Sequence, residues 1–256
     1  MAAALPQGSP SDLIVKPDIN IARARAKAVG GLGFAVLALS LLAGCAYSGA
    51  GPVEVHYQKY KARMPEGDRV FVCSAYGCRT QTPFRFEPTD IATVTKIMSK
   101  GAASAAAERE ATKAALAWMG HRADTAVGTA GDRPGDDMAG NGDPGQMDCV
   151  DVATNLTSYM LVMERHQMFR HHTVGSIYVK EDIRRGWSGW THYAGVLVDN
   201  GSKQQYAVDG WLLASGKPPE ITEVERWYID DKDLLFGGSR GSVAAMKPAA
   251  SKSKTD

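Results

Sequence analysis

Three residues of this chain have the types and order that nucleophilic amide chemistry requires. Cys149 follows Asp148, and the apolar residues after it, Val150, Ala153, Leu156, Met160 and Met163, recur at helical spacing as far as Gln167. Asp148 suits an N-cap, so Cys149 is predicted to open a helix, where backbone N–H groups and the helix dipole favour the nucleophilic thiolate. A cysteine at a helix start also has a purely structural use, and it needs a base nearby to become a nucleophile. Further on, two strand-like runs between Gly189 and Trp211 flank Asn200-Gly201, the strongest short hairpin signal. A loop centred on that bond pairs Asp199 with Ser202 and sets His192 directly opposite Asp209, with Cβ atoms about 5 Å apart. An acid so placed orients the imidazole and stabilises its charged form, although a surface His–Asp pair is the plainer use of the same residues. Cys149, His192 and Asp209 would then be nucleophile, general base and orienting carboxylate. Gln146 is a candidate oxyanion donor alongside the Cys149 N–H.

This layout resembles the transglutaminase-like and papain-like cysteine enzymes, especially the transglutaminase core of a Cys-bearing helix packed on an antiparallel sheet that carries His and Asp. Gly145 to Trp211 carries the resemblance, and Cys149, His192 and Asp209 are the matching positions. The longer stretch from Cys73 to Trp227 resembles a group of proteobacterial lipoproteins that share a Cys-x4-Cys turn and the Asp-Cys helix start. What the resemblance implies is an α+β fold and cofactor-free chemistry through a thioester on a peptide or protein, either hydrolysis or amide transfer. Hydrolysis is preferred because nothing in the sequence selects an amine acceptor. The competing expectation is a catalytically silent member of the fold that binds a partner; reactivity of the thiol separates the two.

The elements that must position these residues can be read in outline. Asp68 to Cys73 and Pro83 to Phe86 read as short strands across a turn containing Tyr76-Gly77. Cys73 and Cys78 flank that turn; in an oxidising compartment a local disulfide is favoured, with reduced thiols and half of a metal site as the alternatives. Pro88-Thr89-Asp90 starts a helix over about Ile91 to Lys100. A second, about Ala102 to Gly120, carries a stripe of small residues, Ala107, Ala111 and Ala114-Ala115, with Glu108 and Arg109 largely off it. His121 to Gln146 reads as a long loop rich in Gly, Asp and Pro. His171-His172 are expected at an exposed helix end ahead of a strand from Thr173 to Val179. Arg184-Arg185-Gly186-Trp187 reads as a solvated turn, and Asn155-Leu156-Thr157 as a sequon without meaning in a helix. Pro218-Pro219 is expected to begin an extended tail that docks through Trp227-Tyr228.

Composition limits the remaining classes. With 29 Lys+Arg against 28 Asp+Glu there is no electrostatic footprint of a nucleic-acid binder, so no nucleic-acid partner is expected. Four cysteines in 256 residues are too few for a disulfide-built miniprotein, and 44% apolar content is too high for a disordered chain. Arg23, Arg25 and Lys27 precede an uncharged stretch from Ala28 to Val53 with an apolar centre at Gly33 to Leu42, the pattern of a signal peptide. It ends in Leu42-Ala43-Gly44-Cys45, which resembles the lipobox of bacterial lipoproteins, so Cys45 is the expected lipidation site. An uncleaved membrane anchor is the alternative. The stretch from Met1 to Ile21 is long for an n-region, which a later start codon would explain. Ala46 lacks the Asp of a retention signal, so an outer-membrane anchor facing the periplasm is favoured. The expected organisation is a signal with lipobox (1–45), a tether (46–52), an α+β domain (53–230) and a disordered polar tail (231–256), with no metal site.

Overall fold

The structure, a computed structural model, describes residues 52–135, 138–181 and 191–229. The expected signal segment with Cys45, residues 46–51 of the expected tether, the expected turn over Arg184 to Trp187 and the expected tail from 230 lie outside these residues. Among the described residues no helix is long and apolar enough to cross a membrane.

The domain is α+β. Helix α1 (Glu54–Tyr60) leads into a hairpin of β1 (Arg69–Ser74) and β2 (Thr80–Arg85). Helices α2 (Pro88–Met98) and α3 (Ala105–Val127) follow, then a connection that ends at α4 (Cys149–Arg165). Strands β3 (His172–Glu181), β4 (Thr191–Asp199), β5 (Gln205–Asp209) and β6 (Glu220–Glu223) form an antiparallel meander in that order, closed by helix α5 (Val224–Ile229).

Helix α4 is the centre of the fold and packs against β1, β3, β4 and α3. Its polar residues Thr154, Asn155, Thr157 and Ser158 are buried along with its apolar ones, and all but Thr157, whose Oγ1 has no hydrogen-bond partner among the described residues, are paired. Asn155 acts as a substitute strand: its amide accepts from Cys73 N at 2.7 Å and donates to Cys73 O at 2.9 Å, completing the inner edge of β1. Its burial disposes of the sequon. Thr154 and Ser158 dock α1, through His56 Nε2 at 2.9 Å and the Tyr57 hydroxyl at 2.8 Å. Where β4 crosses α4 the approach is close enough to require glycine, because a Cβ on Gly195 would lie 2.9 Å from Thr157 Oγ1 and 3.0 Å from Met160 Cε. Side chains alternate along β4. Tyr193 and Leu197 face α4, while Ala194 and Val196 pack with Val224 and Trp227 of α5 on the other face.

Several expectations are corrected. The α3 helix runs seven residues past Gly120 because Ala123 and Asp124 are buried, and it stops at Gly128 in the left-handed region (φ 91°). The segment after Pro219 is no docking tail but strand β6 and helix α5, with Trp227 4% exposed. His172 is not an exposed helix-end residue: it is 1% exposed, as is Glu108 of α3. The Glu108 carboxylate accepts from the backbone N–H groups of Arg170, His171 and His172 and meets His172 Nδ1 at 2.9 Å, so an acid that periodicity put on the surface is the buried clamp for the entry into β3. The hairpin register differs too. Asp199 Oδ1 accepts from Gly201 N and Ser202 N, and Lys203, at φ 62°, closes a loop over Asn200–Lys203. Val198 therefore pairs with Gln205 and Gly195 with Val208, two residues away from the expected register.

Candidate functional site

The disulfide turn braces the start of α4. Ala75, Tyr76, Gly77 and Cys78 all have positive φ, a run that non-glycine residues adopt at a cost, and Cys73 is joined to Cys78 across a Cα–Cα distance of 4.5 Å. Asp151 holds the turn by accepting from Tyr76 N at 2.9 Å and Cys78 N at 2.6 Å. The N-cap expected at Asp148 is half of a capping box: Asp148 accepts from Asp151 N at 2.9 Å, Asp151 accepts from Asp148 N at 3.2 Å, and Asp148 also takes Gly77 N at 3.0 Å. Both Asp148 oxygens are thus engaged, Oδ1 in capping α4 and Oδ2 in holding the turn. Burial, then the neighbouring Asp148 charge, pushes the Asp151 carboxyl well above its usual range. Cys73, Cys78 and Asp151 lie close enough to suggest a metal site, but the sulfurs are bonded to each other and the carboxylate is filled by N–H donors.

Cys149 is the first residue of α4, 9% exposed, with its sulfur 3.8 Å from the Thr191 carbonyl oxygen at the start of β4. It clusters with Val150, Ala153, Tyr193 and Trp211. The Tyr193 hydroxyl receives hydrogen bonds from Lys59 and Tyr60 of α1, each at 2.8 Å, a cluster that sequence periodicity did not reveal because α1 has seven residues. Burial, the Tyr193 hydroxyl and the nearby Cys149 and Asp148 charges together push the Tyr60 phenol far up.

His192 and Asp209 are joined, by a route different from the expected one. The register shift of two residues makes them diagonal rather than opposed, but an even shift keeps both on one face of the sheet, and Nε2 meets Asp209 Oδ2 at 2.6 Å. Trp227 Nε1 donates to the same oxygen at 2.8 Å, and Trp211 N donates to Oδ1 at 3.1 Å. The imidazole lies between the two indoles, with centroids 4.7 Å from Trp211 and 5.6 Å from Trp227. Burial raises the Asp209 carboxyl, but the His192 charge and these hydrogen bonds outweigh it and hold the group at about 2. His192 itself is fully buried, and its Nδ1 has no hydrogen-bond partner among the described residues.

The pair stands on the α5 face of β4, with Ala194 and Val196, whereas Cys149 packs beside Tyr193 on the α4 face and meets β4 at its end. Among the described residues, His192 Nδ1 takes no hydrogen bond from the thiol. Gln146 is turned elsewhere: its amide accepts from Arg133 N at 3.2 Å and donates to Gly131 O at 3.4 Å and Gly145 O at 3.2 Å, so it braces the preceding loop instead of facing a reacting carbonyl. Trp227 is the site residue that sequence reasoning missed; its aromatic type was visible, its partner was not.

No family model, curated protein or solved structure matches the chain.

Proposed function

We propose that this chain is an envelope lipoprotein, anchored through Cys45, whose Cys149, His192 and Asp209 carry cysteine-dependent cleavage or transfer of an amide on a transglutaminase-like core. The observation that carries the reading is the His192–Asp209 pair, which engages Nε2 and leaves a buried Nδ1 without a hydrogen-bond partner among the described residues, on the residue next to the carbonyl that the Cys149 sulfur touches. A catalytic imidazole must divide its nitrogens in this way, one for the orienting acid and one for the thiol. The thiol proton passes to Nδ1 and the sulfur attacks the amide carbonyl. The charge on the carbonyl oxygen is received by the N–H groups that open α4, Cys149 N first. The imidazolium then protonates the leaving amine, and water resolves the thioester. Cys149 and Nδ1 must come together when substrate binds, as catalytic hydrogen bonds often tighten in the complex.

The burial of His192 against two indoles, Trp211 and Trp227, favours a second reading, a silent binding module that keeps the pair as a structural pin. Iodoacetamide labelling of the full chain at about pH 6.5 separates the two. Cys149 should react faster than cysteine in solution, and His192→Ala should slow it by about tenfold or more. An inert Cys149, or a rate indifferent to His192, leaves the binding module.

A further inference from the structure

A cavity of about 50 Å³ opens between α3, α4 and the β5–β6 connection. It follows the helix face on which Cys149 begins: Val152, Leu156 and Tyr159 line it at helical spacing from Cys149, and Val152 also packs on the cluster that contains the thiol. Gly210, between Asp209 and Trp211, forms part of the opposite wall.

The polar groups of this cavity share one need. Asp124 and Asp132 line it at 5% and 9% exposure, and among the described residues neither is ion-paired. Asp124 accepts from the hydroxyls of Thr129 and Ser215, and Asp132 from Met147 N at 2.7 Å, which leaves acceptor positions on both. Asp124 also stands in the last turn of α3, where the helix dipole opposes a negative charge. Burial raises both carboxyls, that of Asp132 to about 7, with the Asp124 charge contributing. Tyr159 is 2% exposed, and its hydroxyl, which feels the Asp124 charge, has no hydrogen-bond partner among the described residues. Asp124 feels the His121 charge and Asp132 that of Arg133, but among the described residues neither carboxylate is in a direct ion pair; buried carboxylates so placed are costly, and a cation with several N–H donors would satisfy all three groups together.

We propose that the cavity is a recognition subsite for a small organic ammonium group, held by Asp124, Asp132 and the Tyr159 hydroxyl with its methylene stem against Leu116, Val152 and Leu213. At roughly 10–15 Å³ per water the volume suits about three to five waters, the size of an ammonium head with its first carbons and far too small for a nucleotide or a lipid headgroup. Paired acids keep the amine protonated, so this is an anchor and not an attacking nucleophile. Lys217 is exposed and lines the same cavity, which favours a ligand whose far end is neutral or anionic over a diamine. The subsite deepens the function proposed above by giving the chemical class of its substrate, and it rests on that reading only for the link to catalysis.

The test is an NMR titration of the full chain with butylammonium, 1-butanol, 5-aminopentanoate and 1,5-diaminopentane, following the methyl groups of Leu116, Val152 and Leu213. Butylammonium and 5-aminopentanoate should saturate these shifts, 1-butanol should bind at least about tenfold more weakly, and the diamine should bind more weakly than 5-aminopentanoate. Asp132→Asn should weaken butylammonium about tenfold, and Tyr159→Phe, which keeps the ring and the fold, by about threefold or more. Equal binding of 1-butanol, no saturable binding, or affinities unchanged in both variants would overturn the proposal and leave a structural cavity. Binding is read without thiol chemistry, so an inert Cys149 with intact butylammonium binding removes the enzyme reading and keeps the subsite, while a reactive Cys149 without binding does the reverse.

Discussion

Trp227→Phe tests the clamp on Asp209 and, through it, the orientation of His192. The change keeps an aromatic ring beside the imidazole and deletes the Nε1–H that donates to Asp209 Oδ2 at 2.8 Å. Holding the Asp209 carboxyl at about 2, against an ordinary 3.8, corresponds to about 2 kcal/mol of stability at 1.36 kcal/mol per tenfold change in acidity. Three donors share that effect, and a hydrogen bond to a charged group contributes about 1.5–3 kcal/mol when lost singly. An electrostatic loss of about 1 kcal/mol at about pH 7, a share of that total of about 2 kcal/mol, is therefore expected, together with a packing loss that does not depend on pH. The folded-state value is depressed, so the electrostatic share is fully present above the unfolded value near 4 and disappears as pH falls toward about 2, with roughly half gone by about pH 3. Urea denaturation of the full chain and the variant across that range measures it. A variant that matches the parent at neutral pH, or a difference between them that is the same at about pH 3 as at about pH 7, would refute the clamp, since a constant difference would be packing alone.

Replacing Cys73 and Cys78 together with Ser should lower stability by about 2 kcal/mol on the loop-entropy account and free a turn that holds positive φ at four successive residues. Because Asp148 and Asp151 bind that turn, iodoacetamide labelling of Cys149 should change as well; a variant with parental stability and labelling would show that the turn does not brace α4. Cys45→Ser should release the protein from washed membranes or leave a heavier unprocessed precursor, and membrane fractionation at unchanged mass would mean that Cys45 is not the anchor.

What could be read from the chain by itself was local. The start of α4 was legible because an N-cap acts within four residues: Asp148 satisfies an N–H of the first turn whatever surrounds it, and that put Cys149 at the first helical position. The β1–β2 turn with its close cysteines and the β4–β5 hairpin were legible for the same reason, being contacts between neighbours in sequence. The hairpin register was not, because Asn200-Gly201 permits more than one loop and the Asp199 carboxylate selects the longer one. Pairing of His192 with Asp209 survived that error because side chains alternate with period two, so a shift of two residues keeps them on the same face. The face itself was decided by tertiary structure: α4 needs glycine at Gly195 to pack on β4, which commits Tyr193 to the thiol side and His192 to the side of Trp227. Glu108, too, reads as a surface acid by periodicity, and becomes a buried clamp only because three backbone N–H groups at Arg170–His172, distant in sequence, meet its carboxylate. Burying a charge is favourable only when such partners converge, and their convergence is a property of the whole fold that no window of sequence contains.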